Sequence, residues 1–184
     1  RQRQMCIRDS CWGEIEECGK DPLENARQKA LAYYRICGQP VFSQDSGLYI
    51  EGLPKERQPG VHVRRVNGVN LTDEQMRKYY KKIAAEFGGR CVAQYQNAIC
   101  LVFSENEIYE ARGGALNWKK FWLMTEERPQ RMEGFPLDAI CADYRTGRHF
   151  YDGEATMPEE EGDGVRDFFR NALKQHEMRM GKWI

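Results

Sequence analysis

The spacing of apolar residues along this chain changes period several times, and each change marks an element. Leu23, Ala26, Ala30, Tyr33 and Tyr34 recur at helical spacing. Asp21 and Pro22 ahead of them supply an N-cap and a first-turn proline, Glu24 adds a first-turn acid, and Gly38 with Pro40 closes the helix. Val41-Phe42 then predicts a short strand and Leu48-Tyr49-Ile50 another, with Asp45-Ser46-Gly47 as a turn between them. Leu53 to Gly60 reads as a loop carrying two prolines. Thr72-Asp73-Glu74 opens a second helix whose apolar face is Met76, Tyr79, Tyr80 and Ile83, with Gly88-Gly89 as its stop. The most strand-like stretch is Cys91 to Phe103. Glu107 to Ala111 returns as its hairpin partner, and Gly113-Gly114 breaks or bulges that pairing.

Beyond the hairpin the pattern predicts a loop over Met132 to Asp138, a short strand at Ala139-Ile140-Cys141 and an acidic turn over Met157 to Asp163. A C-terminal helix follows, built on Val165, Phe168, Phe169, Ala172 and Leu173. The succession of helix, strand, helix, long hairpin, strand and helix predicts a single α/β domain around a mixed sheet. Residues 1–10 carry no apolar period. The string Met5 to Ser10 resembles translated adaptor read-through, so a non-native or disordered leader is expected there, a domain over 11–176 and a frayed tail over 177–184.

Composition narrows the classes. With 184 residues, 41% hydrophobic and 11% aromatic, the chain is long and apolar enough to bury a core. Lys plus Arg and Asp plus Glu each number 28, so no global charge draws it to nucleic acid or to an anionic membrane. Seven cysteines without a Cys-x-x-Cys pair, and only three histidines, argue for free thiols in a reducing cytoplasm rather than a zinc knuckle. No apolar run approaches the ~20 residues of a membrane span.

The candidate chemistry sits at the carboxylates. Glu24 on the first turn of a helix and Asp45 after the next strand belong to elements that must pack together. Two carboxylates meeting there suit Mg²⁺, which takes oxygen ligands and completes its shell with water and phosphates. Asp45 is also placed to act as a general base on water. The structural alternative is that Glu24 serves the helix N-terminus and Asp45 caps a turn. Arg64 and Arg65 present guanidinium forks suited to phosphate, or form a solvated pair. Phe135, between Gly134 and Pro136, can stack on a nucleobase or plug the core beneath its loop. Trp118, Phe121 and Trp122 form a dense apolar group suited to core or dimer contact, and His62 and His149 read as structural or surface residues. There is no Gly-x-x-x-x-Gly-Lys phosphate loop, no dinucleotide fingerprint and no nucleophile elbow around Ser46.

In order, these motifs resemble the inosine triphosphate pyrophosphatase (Ham1) family. Glu17-Cys18-Gly19 and Leu23-Glu24-Asn25-Ala26 with Lys29-Ala30 resemble its E-x-G and ENA-x-x-KA helix, and Asp45-Ser46-Gly47-Leu48 its DDSGL. Pro59-Gly60-Val61 with Arg65 is similar to its PGVYSARY, and Gly134-Phe135-Pro136-Leu137-Asp138 to its GFGYD. The resemblance runs from about Glu17 to Leu173. It implies an elongated mixed sheet flanked by helices, two lobes with a central cleft, a homodimer, and Mg²⁺-dependent hydrolysis of ITP, dITP and XTP to monophosphate and pyrophosphate. It also implies that Glu24 and Asp45 hold the metal, with Asp45 the catalytic proton acceptor, and that Ser46, Arg65, Phe135, Asp138 and Arg166 serve the substrate. The departures are Gln44 in place of the first acid of DDSGL, Pro136-Leu137 in place of Gly-Tyr, and no T-G-N-x-x-K phosphate turn before Cys11. The family's late Lys and Ser-His-Arg have no clear match: Arg166 stands nearest that Arg, without an adjoining His. They motivate a second reading, a nucleotide-binding or regulatory paralogue with impaired catalysis.

Overall fold

A computed structural model describes residues 19–152 and 163–181. The leader, Glu17-Cys18 and most of the acidic turn from Met157 lie outside the described residues. Helix α1 spans Pro22–Cys37. Its boundaries follow the local chemistry read from the sequence: the Asp21 carboxylate accepts from the Leu23 and Glu24 amides, and Gly38 ends the helix at φ 62°, with its N–H on the Tyr34 carbonyl. Small residues, Ala26 and Ala30, form its buried stripe, which lets the helix axis lie close against the sheet.

Strand β1 runs without a break over Val41–Ile50. The expected turn at Asp45-Ser46-Gly47 is therefore corrected: these residues are the middle of one strand. Its register against β4 (Arg90–Ser104) is continuous from Val41↔Val102 to Ile50↔Ala93. Ladder pairing on one edge holds Gly47 extended. On the other edge the Leu48 N–H donates to the Gly60 carbonyl (2.9 Å) and the Gly60 N–H to the Leu48 carbonyl (3.0 Å). A short hairpin, β2 (Arg65–Val66) and β3 (Val69–Asn70), turns through Asn67 and Gly68, both at positive φ. Helix α2 (Asp73–Glu86) begins with a full capping box between Thr72 and Gln75. Strands β5 (Glu107–Arg112), β6 (Phe121–Met124) and β7 (Cys141–Asp143) and helix α3 (Asp163–Arg179) complete the described elements. Ala139 and Ile140, expected in a strand, lie in a single 3-10 turn over Asp138–Ile140, with β7 starting one residue later. Strand β6 was read in the sequence only as an aromatic cluster.

The main sheet has the order β1-β4-β6-β7, with β5 also on β4. All pairings among the described strands are antiparallel, which narrows the expected mixed sheet within the α/β class. Beside β4, β5 takes the stretch Ala98 to Ser104 and β6 the stretch Arg90 to Ala93. The gap is closed by side chains and loop backbone: Gln94 donates to the Trp118 carbonyl (2.7 Å) and the Asn97 amide donates to Asn117 Oδ1 (3.0 Å).

Two core clusters follow from this split. One buries Leu48, Ile50, Met76, Tyr80, Ile83, Leu123 and Ile140 under α2; the other buries Ala26, Ala30, Cys100 and Val102 under α1. Side chains alternate across a strand, so α1 and α2 lie on opposite faces of the β1–β4 ribbon. Helix α3 is on the face away from α1, where Phe169 meets Phe42 edge-on with ring centroids 5.0 Å apart. Asp45, Ser46 and Gly47 fall where β1 passes from one cluster to the other.

Candidate active site

Asn25 and Lys29 stand one helical turn apart on α1 and face the sheet. Asn25 is 1% exposed. Its side-chain N–H donates to Asp45 Oδ2 (3.0 Å), and its own oxygen accepts from the Gly19 amide (2.8 Å). Lys29 Nζ donates to Asp45 Oδ1 at 3.0 Å, with the two side chains only 16% and 15% exposed. Each carboxylate oxygen of Asp45 thus has a named partner on α1. Neither Asn25 nor Lys29 was singled out from the sequence, although both stand inside the ENA-x-x-KA segment. The missed signal was their four-residue spacing, which puts an amide and an ammonium on the face that packs toward Asp45.

Glu24, one residue before Asn25, is exposed and accepts from the Lys20 amide (2.7 Å). Tyr49 lies two residues beyond Gly47 on the same face of β1. Burial raises its phenol pKa, and the negative charges of Asp21 and Asp45 add to the rise. Asp21, Asp45 and the Tyr49 hydroxyl therefore share one electrostatic neighbourhood at the N-terminus of α1.

Gly47 makes room for the neighbouring loop. A Cβ there would come within 2.9 Å of the Tyr49 ring and 3.0 Å of the Gly60 carbonyl carbon. Gln58 moors that loop by acting as an extra strand partner: its amide N–H donates to the Ile50 carbonyl (2.7 Å), and its oxygen accepts from the Ile50 amide (2.8 Å). The segments Asp45 to Leu48 and Pro59-Gly60 are thereby adjacent in space. Arg65 is exposed in β2, while Arg64 binds Asp73 (2.7 Å) and the Leu71 carbonyl (3.0 Å).

The remaining candidates are distributed differently. Ser46 points to the face opposite Asp45 by strand alternation. Phe135 is half-buried in a turn whose neighbour Leu137 is buried in the α2-side core. Asp138 opens the 3-10 turn, and burial holds its carboxyl above the ordinary value. Arg166 is exposed on α3. Thus Asp45 is joined directly to α1, whereas Phe135, Asp138 and Arg166 belong to elements on the opposite face of the ribbon.

Glu24 and Asp45 carry the oxygen-donor chemistry that a hard divalent cation takes. Asp45 is bonded to Asn25 and Lys29, and Glu24, next to Asn25 on α1, is exposed and accepts from the Lys20 amide. Among the described residues no group of three His, Cys, Asp or Glu is gathered. One or two carboxylates with water and phosphate oxygens is the pattern Mg²⁺ uses.

Among the described residues, a five-stranded antiparallel sheet flanked by three α-helices, with the Asp45 carboxylate held by α1, puts the protein in the α/β class. The model of the Ham1 family matches residues 3–117, and the chain belongs to that family. It is 33% identical over 103 residues to a dITP/XTP pyrophosphatase of Malacoplasma penetrans, covering 55% of this chain and 50% of the relative. It is 31% identical over 160 residues to a dITP/XTP pyrophosphatase of Brucella melitensis, covering 81% and 66%. A solved HAM1 protein from Coxiella burnetii superposes with a TM-score of 0.61 at 26% identity, covering 92% of this chain and 81% of that one. The chain spans about half the length of the first of these curated relatives.

Proposed function

We propose that this protein hydrolyses non-standard purine nucleoside triphosphates, ITP, dITP and XTP, to the monophosphate and pyrophosphate, as part of nucleotide-pool sanitation. The observation that carries the reading is Asp45, held on one oxygen by Asn25 and on the other by Lys29. Its membership of the Ham1 family, with relatives named dITP/XTP pyrophosphatase, supports the same reading.

Asn25 fixes the orientation of the Asp45 carboxylate, because a buried amide bonded at both ends has one rotamer that satisfies it. Asp45 accepts the proton of the attacking water. Lys29 places a positive charge beside the negative charge that builds on the phosphates as the bond between α- and β-phosphorus breaks. Glu24 and Asp45 would hold Mg²⁺, which when bound neutralises phosphate charge. The resemblance implies that Ser46 and Arg65 serve the phosphates and Phe135 with Asp138 the base, although Ser46, Phe135 and Asp138 lie on the face of the ribbon opposite Asp45. The resemblance also implies a substrate contact for Arg166, although α3 lies on the face of the ribbon away from α1. The protein acts as a homodimer in the cytoplasm, which its free cysteines at 37, 91, 100 and 141 suit. No described helix is long and apolar enough to cross a membrane.

A second reading has its own observation. Gln44, a carboxamide where the resemblance expects an acid, suits a paralogue that binds nucleotide without turnover. Incubation of the purified protein with dITP and Mg²⁺ separates the two. Release of pyrophosphate, with no orthophosphate, supports hydrolysis. A dITP-dependent rise in melting temperature with no product supports the binding paralogue.

A further inference from the structure

The outer surface of α2 carries a concentration of positive charge that the chemistry at Asp45 does not use. A groove of about 690 Å³ lies between this helix and the segment after β6, within the size range of small-molecule sites. Arg77, Lys78, Lys81, Lys82 and Arg131 line it, against Glu74 and Glu127. The whole chain has no net charge, so this excess is local.

Glu127 is shared among three cations. It accepts from Arg77 Nε at 2.9 Å, Lys81 Nζ at 2.9 Å and Arg131 Nη2 at 2.7 Å. One carboxylate cannot neutralise three positive charges. Arg77 is the most enclosed of them, its side chain 13% exposed. It spends only Nε on Glu127, so its terminal N–H donors have no bond to a described residue. Lys78 and Lys82 are exposed, one turn apart, and pair with no carboxylate among the described residues. An enclosed guanidinium with spare donors beside exposed ammonium groups is a phosphate-binding chemistry.

We infer that the groove outside α2 is a second anion site, which takes the phosphate groups of a small molecule. A doubly or more highly charged oligophosphate fits the excess best, because it brings several acceptor oxygens to several donors. The basic lining is confined to one helix face and the segment after β6, which favours such a ligand over nucleic acid, since that needs an extended basic track. The site is distinct from Asp45, because α1 and α2 lie on opposite faces of the β1–β4 ribbon. It stands whether or not the Asp45 site hydrolyses nucleotides.

Calorimetric titration with inorganic pyrophosphate, at ionic strength fixed with potassium chloride, tests the assignment. The expected result is saturable binding that Lys78→Ala/Lys82→Ala weakens about tenfold or more, the effect of losing charge-assisted hydrogen bonds. Arg77→Gln is expected to weaken it likewise, and Asp45→Asn to leave that component intact. Both lysines are exposed, so the double variant is expected to keep the wild-type circular dichroism. Inosine monophosphate binding more tightly than inorganic phosphate through the same lysines would identify a nucleotide source, and equal affinity a free anion. Unchanged pyrophosphate affinity in both groove variants would overturn the inference. So would loss of all binding in Asp45→Asn, or binding of an oligonucleotide but not of pyrophosphate.

Discussion

Asn25 is the residue on which the geometry of the α1 site turns. Its amide joins the Gly19 backbone to Asp45 and is almost fully buried. Asn25→Ala leaves the Gly19 N–H without that acceptor and Asp45 without one donor. The expected cost is about 1–3 kcal/mol in urea unfolding. Gly47→Ala tests the close approach of the neighbouring loop. Its φ is not positive, so the penalty is steric: the new methyl group meets the Tyr49 ring and the Gly60 backbone. Destabilisation of about 1–3 kcal/mol is expected, read from the urea midpoint at unchanged slope. The resemblance pointed to Asp45 and Glu24 but passed over Asn25 and Lys29. Their role depends on which face of α1 meets the sheet, and the apolar period alone marked that face by its alanines.

Elements with local start and stop signals were legible, and those set by distant partners were not. Asp21, Pro22 and Gly38 bound α1, and Thr72 with Gly88 bound α2, because capping is decided within a few residues. Thr72→Ala is expected to cost about 1 kcal/mol, as the Gln75 amide loses its acceptor. Strand β1 was divided in the sequence because Asp45-Ser46-Gly47 has turn composition. The continuous ladder from β4 and the Gly60 backbone overrule that propensity. The same limit hid β6 and the β2–β3 hairpin: both are short, and β6 exists because β4 and β7 offer it partners.

At the scale of the molecule, two core clusters on opposite faces meet along one long ribbon, and Asp45 lies where they change over. Ion pairs add to this packing, and Glu127 ties α2 to the segment after β6. Burial works to raise the Glu127 pKa, but Lys81, Arg131 and Arg77 outweigh it and hold it below the ordinary 4.5. A depressed carboxyl contributes stability above its unfolded pKa and loses it as pH falls through the folded value. The difference in unfolding free energy between wild type and Glu127→Gln is therefore expected to be largest near neutrality and to shrink as pH falls below 4.5. The central claim is that Asp45, positioned by α1, performs the hydrolysis. Its most direct test is steady-state pyrophosphate release from dITP with Mg²⁺, comparing wild type with Asp45→Asn. The account expects kcat to fall about a hundredfold or more in a variant that stays folded and still binds nucleotide. Equal kcat in the two proteins, or no pyrophosphate from either, would contradict it.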